Sequence, residues 1–188
     1  LLRVFRFCAA YGFEIEKTTL EWVTLLNSSI QSVASERQLQ ELDKTLSGSN
    51  LLRAFELMID TNFAKSIFWE ADKNTRGEWM SSLSVWSRLY RFFQDPVYLG
   101  FAEEHIQPLA NYSSYLLTGG RRRLDILYLV SLYYPLLDEN WSSFAKRICL
   151  GVKDTHFGLK VLQYSSELKK IKYSYSDKLT RFHFYRQC

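Results

Sequence analysis

The stretch RRRLDILYLVSLYY, residues 121–134, decides what kind of fold this chain adopts. Behind its three arginines, only Asp125, Ser131 and the tyrosine hydroxyls interrupt an apolar run. Such a run fits a strand buried on both faces or a helix buried all round, and periodicity alone does not separate them. Length does. Strands usually span about 4–8 residues, and the flanking segments repeat their apolar side chains at helical spacing. The run therefore reads as a central helix, and the fold as all-α.

Working outward, the same spacing recurs on both sides. Leu1, Val4, Phe5 and Cys8 form an i, i+3, i+4, i+7 stripe, with Arg3 and Arg6 beside it. Thr18 or Thr19 could cap a second helix carrying Leu20, Val23, Leu26, Ile30 and Val33 on one face. Ser35 precedes a polar amphipathic helix that presents Leu39, Leu42 and Leu46 on one side. After the break SGSN, Asn50 opens a helix with Leu51, Ala54, Phe55, Met58 and Ile59 in register, expected to run to about Ala71. Trp79, Leu83, Trp86, Leu89, Tyr90 and Phe93 mark the next. Asp95-Pro96 is a start signal, and Pro108 should kink or restart the helix it meets. Beyond the central run, ENWSSFAKRICL ends at Gly151, and DTHFGLKVLQYSSELKKI leads to the terminal segment. The expectation is one compact antiparallel array of about nine or ten helices spanning residues 1–188, with no solenoid repeat.

Composition agrees. Hydrophobic residues make up 47% and charged residues 23% of the 188, a globular balance, and glycines and prolines number eight and three, few for an all-β chain. Aromatics reach 16%, and the net charge is +4. Cys8, Cys149 and Cys188 are odd in number and widely spaced, which suits a reducing compartment and gives neither a disulfide framework nor a zinc spacing. The longest apolar stretch, residues 124–137, is short of the roughly 20 residues of a membrane span and contains Asp125 and Pro135. With no signal peptide, a first residue other than Met and an abrupt end at Cys188, the chain reads as a domain excised from a longer protein.

Catalytic signatures are missing. His105, His156 and His183 stand apart from any metal-ligand spacing, and neither a phosphate-cradling G-x-x-x-x-G-K-[ST] nor a G-x-G-x-x-G is present. The carboxylate pairs Glu103-Glu104 and Asp138-Glu139 sit near helix ends, where solvated charge is the ordinary reading. The expectation is a non-enzymatic chain with no cofactor and no metal. Two features suggest binding. Arg121, Arg122 and Arg123 place three positive charges at a helix start, where the macrodipole disfavours them; they read as a solvated cluster or as the contact for an anionic partner. Lys169, Lys170 and Lys172 form a second cluster. Trp69, Trp79 and Trp86 are spaced too closely for a Myb repeat and read as core or interface anchors.

The terminal run YSYSDKLTRFHFY, residues 173–185, reads as a helix entered at Ser174 or Ser176, with Asp177 in its first turn and Tyr173 and Tyr175 as a staple. The pattern Tyr173-Ser174-Tyr175, then Arg181, Phe182 and Tyr185, resembles the segment opening the last helix of the telomere-repeat-binding-factor homology (TRFH) domain. That resemblance implies a docking and dimerisation module of a telomeric protein. Such a module is nuclear, sits at chromosome ends, and recruits other shelterin-type proteins through short peptide segments. Self-association would use the first helix (residues 1–13) and the terminal one (177–187), and telomeric DNA would be bound by a Myb-type domain outside this chain. The alternatives are a helical scaffold or adaptor of a larger nuclear complex, and a nucleic-acid binder using Arg121–Arg123 and the terminal lysines.

Overall fold

The structure is a computed structural model that describes residues 1–71, 73, 75–94, 103–133 and 138–173. Among the described residues it holds ten α-helices, two 3-10 turns and no strand. The helices are α1 (Leu2–Tyr11), α2 (Lys17–Leu26), α3 (Ser35–Leu46), α4 (Leu51–Asp60), α5 (Phe63–Ile67), α6 (Arg76–Gln94), α7 (Glu103–Ser114), α8 (Arg123–Ser131), α9 (Asp138–Arg147) and α10 (Val152–Tyr173). The all-α expectation holds.

The deciding stretch is helical. Ile126, Tyr128, Leu129 and Val130 of α8 are all buried, as are Leu132 and Tyr133 just beyond it. Helix α8 packs against α3, α6, α7 and α10, so an apolar surface all round has a neighbour on every side. Its start resolves the charge problem of the three arginines. Asp125 sits in the first turn, accepts the Arg122 backbone N–H at 2.9 Å and pairs with the Arg122 guanidinium at 2.6 Å. Arg121 and Arg122 precede the helix in a short loop, where Leu116 and Arg122 form an isolated antiparallel bridge.

Two segments differ from the sequence reading. Helix α2 gives way to a 3-10 turn (Asn27–Ser32), so Val23 and Ile30 are buried while Leu26 and Val33, expected on the same face, are exposed. The long helix expected over residues 51–71 is broken at Asn62, which adopts the left-handed conformation (φ 57°) and starts α5 in a new direction. Helix α7 continues through Pro108. The start signal at Asp95-Pro96 and most of the terminal run lie outside the described residues.

A chain of rings fills the centre. Phe55 stacks on Trp86 with centroids 4.0 Å apart, Phe68 lies 6.4 Å from Phe55 and 5.7 Å from Phe144, and Phe144 is 5.1 Å from Tyr133. These contacts tie α4, α6 and the segment around α5 to α9 and the end of α8, and aromatic pairs of this kind add about 0.5–1.5 kcal/mol each beyond area burial. Trp79 and Trp86 are core residues, whereas Trp69 is half-exposed.

Helix α1 packs on α3 and α4, with Leu2, Phe5, Cys8 and Ala9 facing inward. Phe5 meets Phe63 at 4.8 Å. The contact with the end of α3 is intimate, since a Cβ on Gly48 would lie 2.5 Å from the carbonyl of Ala9. That carbonyl accepts the Asn50 backbone N–H at 2.8 Å. Gly12 (φ 67°) closes α1 in the left-handed conformation that favours glycine and returns its N–H to the Cys8 carbonyl.

Candidate functional site

The arginine triplet is engaged within the fold. Arg121 donates through Nε and Nη2 to both oxygens of Asp43 at 2.8 Å, and through Nη1 to Asp154 Oδ2 at 2.9 Å. Its side chain is 14% exposed, that of Asp43 31% and that of Asp154 0%. Burial pushes the Arg121 guanidinium down, and its hydrogen bonds to Asp43 and Asp154 more than reverse this, leaving its pKa above the ordinary value. The hydrogen bond to Asp125 likewise raises Arg122. Arg123 lies over the rings of Tyr112 at 4.2 Å and Tyr115 at 4.5 Å, with Phe157 at 5.8 Å. Arg121 and Arg123 thus hold α3, α7 and α10 around the start of α8, while Arg122 closes the first turn of α8 itself.

A second buried cation does similar service. Arg147 on α9 pairs with Glu70 through Nε and, at 3.0 Å, through Nη2; it also donates to the Ile67 carbonyl at 2.6 Å and to Gln38 at 3.1 Å. Tyr133 is fully buried beside this pair, and desolvation, with Glu70 nearby, drives its hydroxyl well above its ordinary pKa.

The surface of α1 is different. Arg3, Phe7 and Tyr11 follow one another at i+4 spacing, and Phe13 follows just past the Gly12 cap. Their relative exposures are 76% for the Arg3 side chain and 41%, 64% and 60% for Phe7, Tyr11 and Phe13. The rings run nearly parallel: Phe7 and Tyr11 have centroids 6.1 Å apart at 27°, and Tyr11 and Phe13 are 5.3 Å apart at 29°. Arg6 covers Phe7 at 4.4 Å. Around Glu41 of α3 gather three cations, Arg6 at 2.9 Å, Arg3 at 3.8 Å and Lys44 at 4.0 Å, an excess of positive charge beside the rings. An open groove of about 430 Å³ runs from Arg3 past Val33, Arg37 and Gln40. The apolar stripe Leu1-Val4-Phe5-Cys8 was legible in sequence. The rings off that stripe carried the signal that was missed, because Phe7 and Tyr11 on the helix's outer side, with Phe13 just beyond its end, have no core to enter.

Among the described residues no cluster of histidine, cysteine, aspartate and glutamate is placed to hold a metal ion, and no helix is long and apolar enough to cross a membrane.

Residues 12–74, about a third of the chain, match the family described as "Probable RNA and SrmB- binding site of polymerase A". The matched segment covers α2 to α5, among them α3 and α4 on which α1 packs, and includes Phe13, Arg37, Glu41 and Lys44. No curated protein sequence matches the chain. The family match overturns the TRFH resemblance and with it the telomeric, shelterin-type function. Serine between aromatics, an acid shortly after and an apolar residue further on are what capping and stapling ask of a helix start in general, so the pattern is not specific to one family. Of its residues, Tyr173 is the last described residue of α10, and Ser174, Tyr175, Arg181, Phe182 and Tyr185 lie outside the described residues.

Proposed function

We propose that this chain is a helical RNA-binding domain. The observation that carries the reading is the match of residues 12–74 to a polymerase-associated RNA-binding family. The physical setting supports it: a net charge of +4, and a surface around α1 and α3 where Arg3, Arg6 and Lys44 outnumber the single Glu41 they surround. The charge excess is small, so few phosphates are neutralised at once and binding is of modest strength.

Fluorescence anisotropy of a labelled RNA titrated with the 188-residue chain tests the proposal. Two to four phosphate contacts give a slope of log K against log salt of about −1.4 to −2.8 on a single strand, following roughly −0.7 per phosphate. Absence of any anisotropy change at 50 mM salt and tens of micromolar protein would refute it.

A further inference from the structure

We infer that Phe7, Tyr11 and Phe13 form a stacking platform for the unpaired bases of a single-stranded RNA, whose phosphates run along Arg3, Arg6 and Lys44. The inference rests on the RNA-binding reading and specifies which RNA and which residues.

Four observations converge. The three rings are among the more exposed large apolar side chains of the molecule, and they lie in one line rather than scattered. They already stand as a stack, with interplanar angles of 27° and 29°, so a base that joins it extends an existing stack rather than ordering separate rings. The platform stands on a rigid base, since the opposite face of α1 is buried against α3 and α4 through Phe5, Cys8 and Ala9, and Gly12 fixes the step to Phe13. Cations line its edge: Arg3 begins the stripe, Arg6 sits over Phe7, and Arg3, Arg6 and Lys44 share one carboxylate. A protein partner for such a face would want depth and apolar closure. Here the concavities beside it are open and lined in part by polar residues: the groove at Arg3, flanked by Arg37 and Glu41, and a hollow at Ala10 lined by Asp43, Lys44 and Ser47. Flat π-faces with flanking positive charge suit nucleobases, and every base has such a face, so the platform selects single strands over duplex rather than one sequence over another. Duplex bases are already stacked and their faces are out of reach.

The experiment compares a fluorescein-labelled oligo(A) twelve-mer with a hairpin duplex of similar charge, using the full chain and its variants at low salt. The parent should bind the single strand about tenfold or more tightly than the hairpin. Tyr11→Ala and Phe13→Ala should each weaken single-strand binding about tenfold and leave hairpin binding nearly unchanged, in line with the cost of losing one stacked base. Tyr11→Trp, which keeps a ring, should retain affinity and show indole quenching on binding. Arg3→Gln should lower the salt slope by about 0.7. All three aromatic positions are exposed, and circular dichroism checks that the variants fold. If the parent binds RNA and the ring variants bind it equally well, the platform is wrong while the RNA-binding reading stands. If the parent binds neither RNA, both fail. If sedimentation shows a parent dimer that Tyr11→Ala dissolves, the face is a contact between copies and the inference is overturned.

Discussion

Removing the Arg121 side chain tests how this fold handles buried charge. In Arg121→Met, three charge-assisted hydrogen bonds at 2.8–2.9 Å are lost, but the two acceptors do not suffer equally. Asp43 is 31% exposed and can take water in place of the guanidinium, so its share is about 1 kcal/mol, as for a surface pair. Asp154 is fully buried, and its Oδ1 has no hydrogen-bond partner among the described residues even in the parent. Without Arg121 its charge is stranded, and breaking a buried pair in this way costs about 3–5 kcal/mol. Against a total stability of about 5–15 kcal/mol, that is a large fraction. Urea unfolding followed by tryptophan fluorescence reads the loss directly. The sharper assay is the double variant. Arg121→Met with Asp154→Leu removes the stranded charge and should recover much of the deficit, so that the two changes are strongly non-additive. A cost below about 1 kcal/mol for Arg121→Met, or simple additivity in the double variant, would refute the reasoning.

Three other outcomes follow from the packing. Gly48→Ala drives a methyl group into the Ala9 backbone and should destabilise by at least about 1–3 kcal/mol in the same unfolding assay, because backbone cannot step aside as a side chain can. Phe63→Ala, at a fully buried site against Phe5, should cost about 3–5 kcal/mol and loosen α1 from the rest, which faster amide exchange in α1 would register. Lys73 donates to Ser82 and lies over Trp79, and burial lowers its pKa to about 8, against the opposing pull of Glu78. A lysine depressed in the folded state binds fewer protons there than in the unfolded chain, so its contribution to stability rises with pH between about 8 and its ordinary value near 10.5. Thermal unfolding between pH 7.5 and 9.5 should show that rise in the parent and lose it in Lys73→Met.

Much of the architecture could be read from the chain, and the failures have physical causes. Residues 121–134 announced a helix because apolarity over that length has few other homes. The break at Asn62 carried no glycine or proline to mark it; asparagine tolerates the left-handed conformation, and Leu57, Met58 and Phe63 stay buried on both sides, so the apolar rhythm runs across it. Locally, Arg121–Arg123 could only look like a basic patch. Asp125, the partner of Arg122, stood three residues away, but the partners of Arg121, Asp43 and Asp154, lie 78 and 33 residues away, beyond any local reading. The aromatic line on α1 was hidden for the opposite reason: each ring looks like core material until the buried face of the helix is known.

Arg147 joins two stretches that sequence comparison would separate. It comes from α9, yet its guanidinium is held by Gln38, Ile67 and Glu70, all inside residues 12–74. Excising that stretch at its recognised borders would take Arg147 and α9 away from Glu70 and strip off α1, which packs on α3 and α4. What a sequence profile detects as a module is then smaller than what can stand as a body, and grafting only the recognised portion onto another protein would transplant a wound along with the domain.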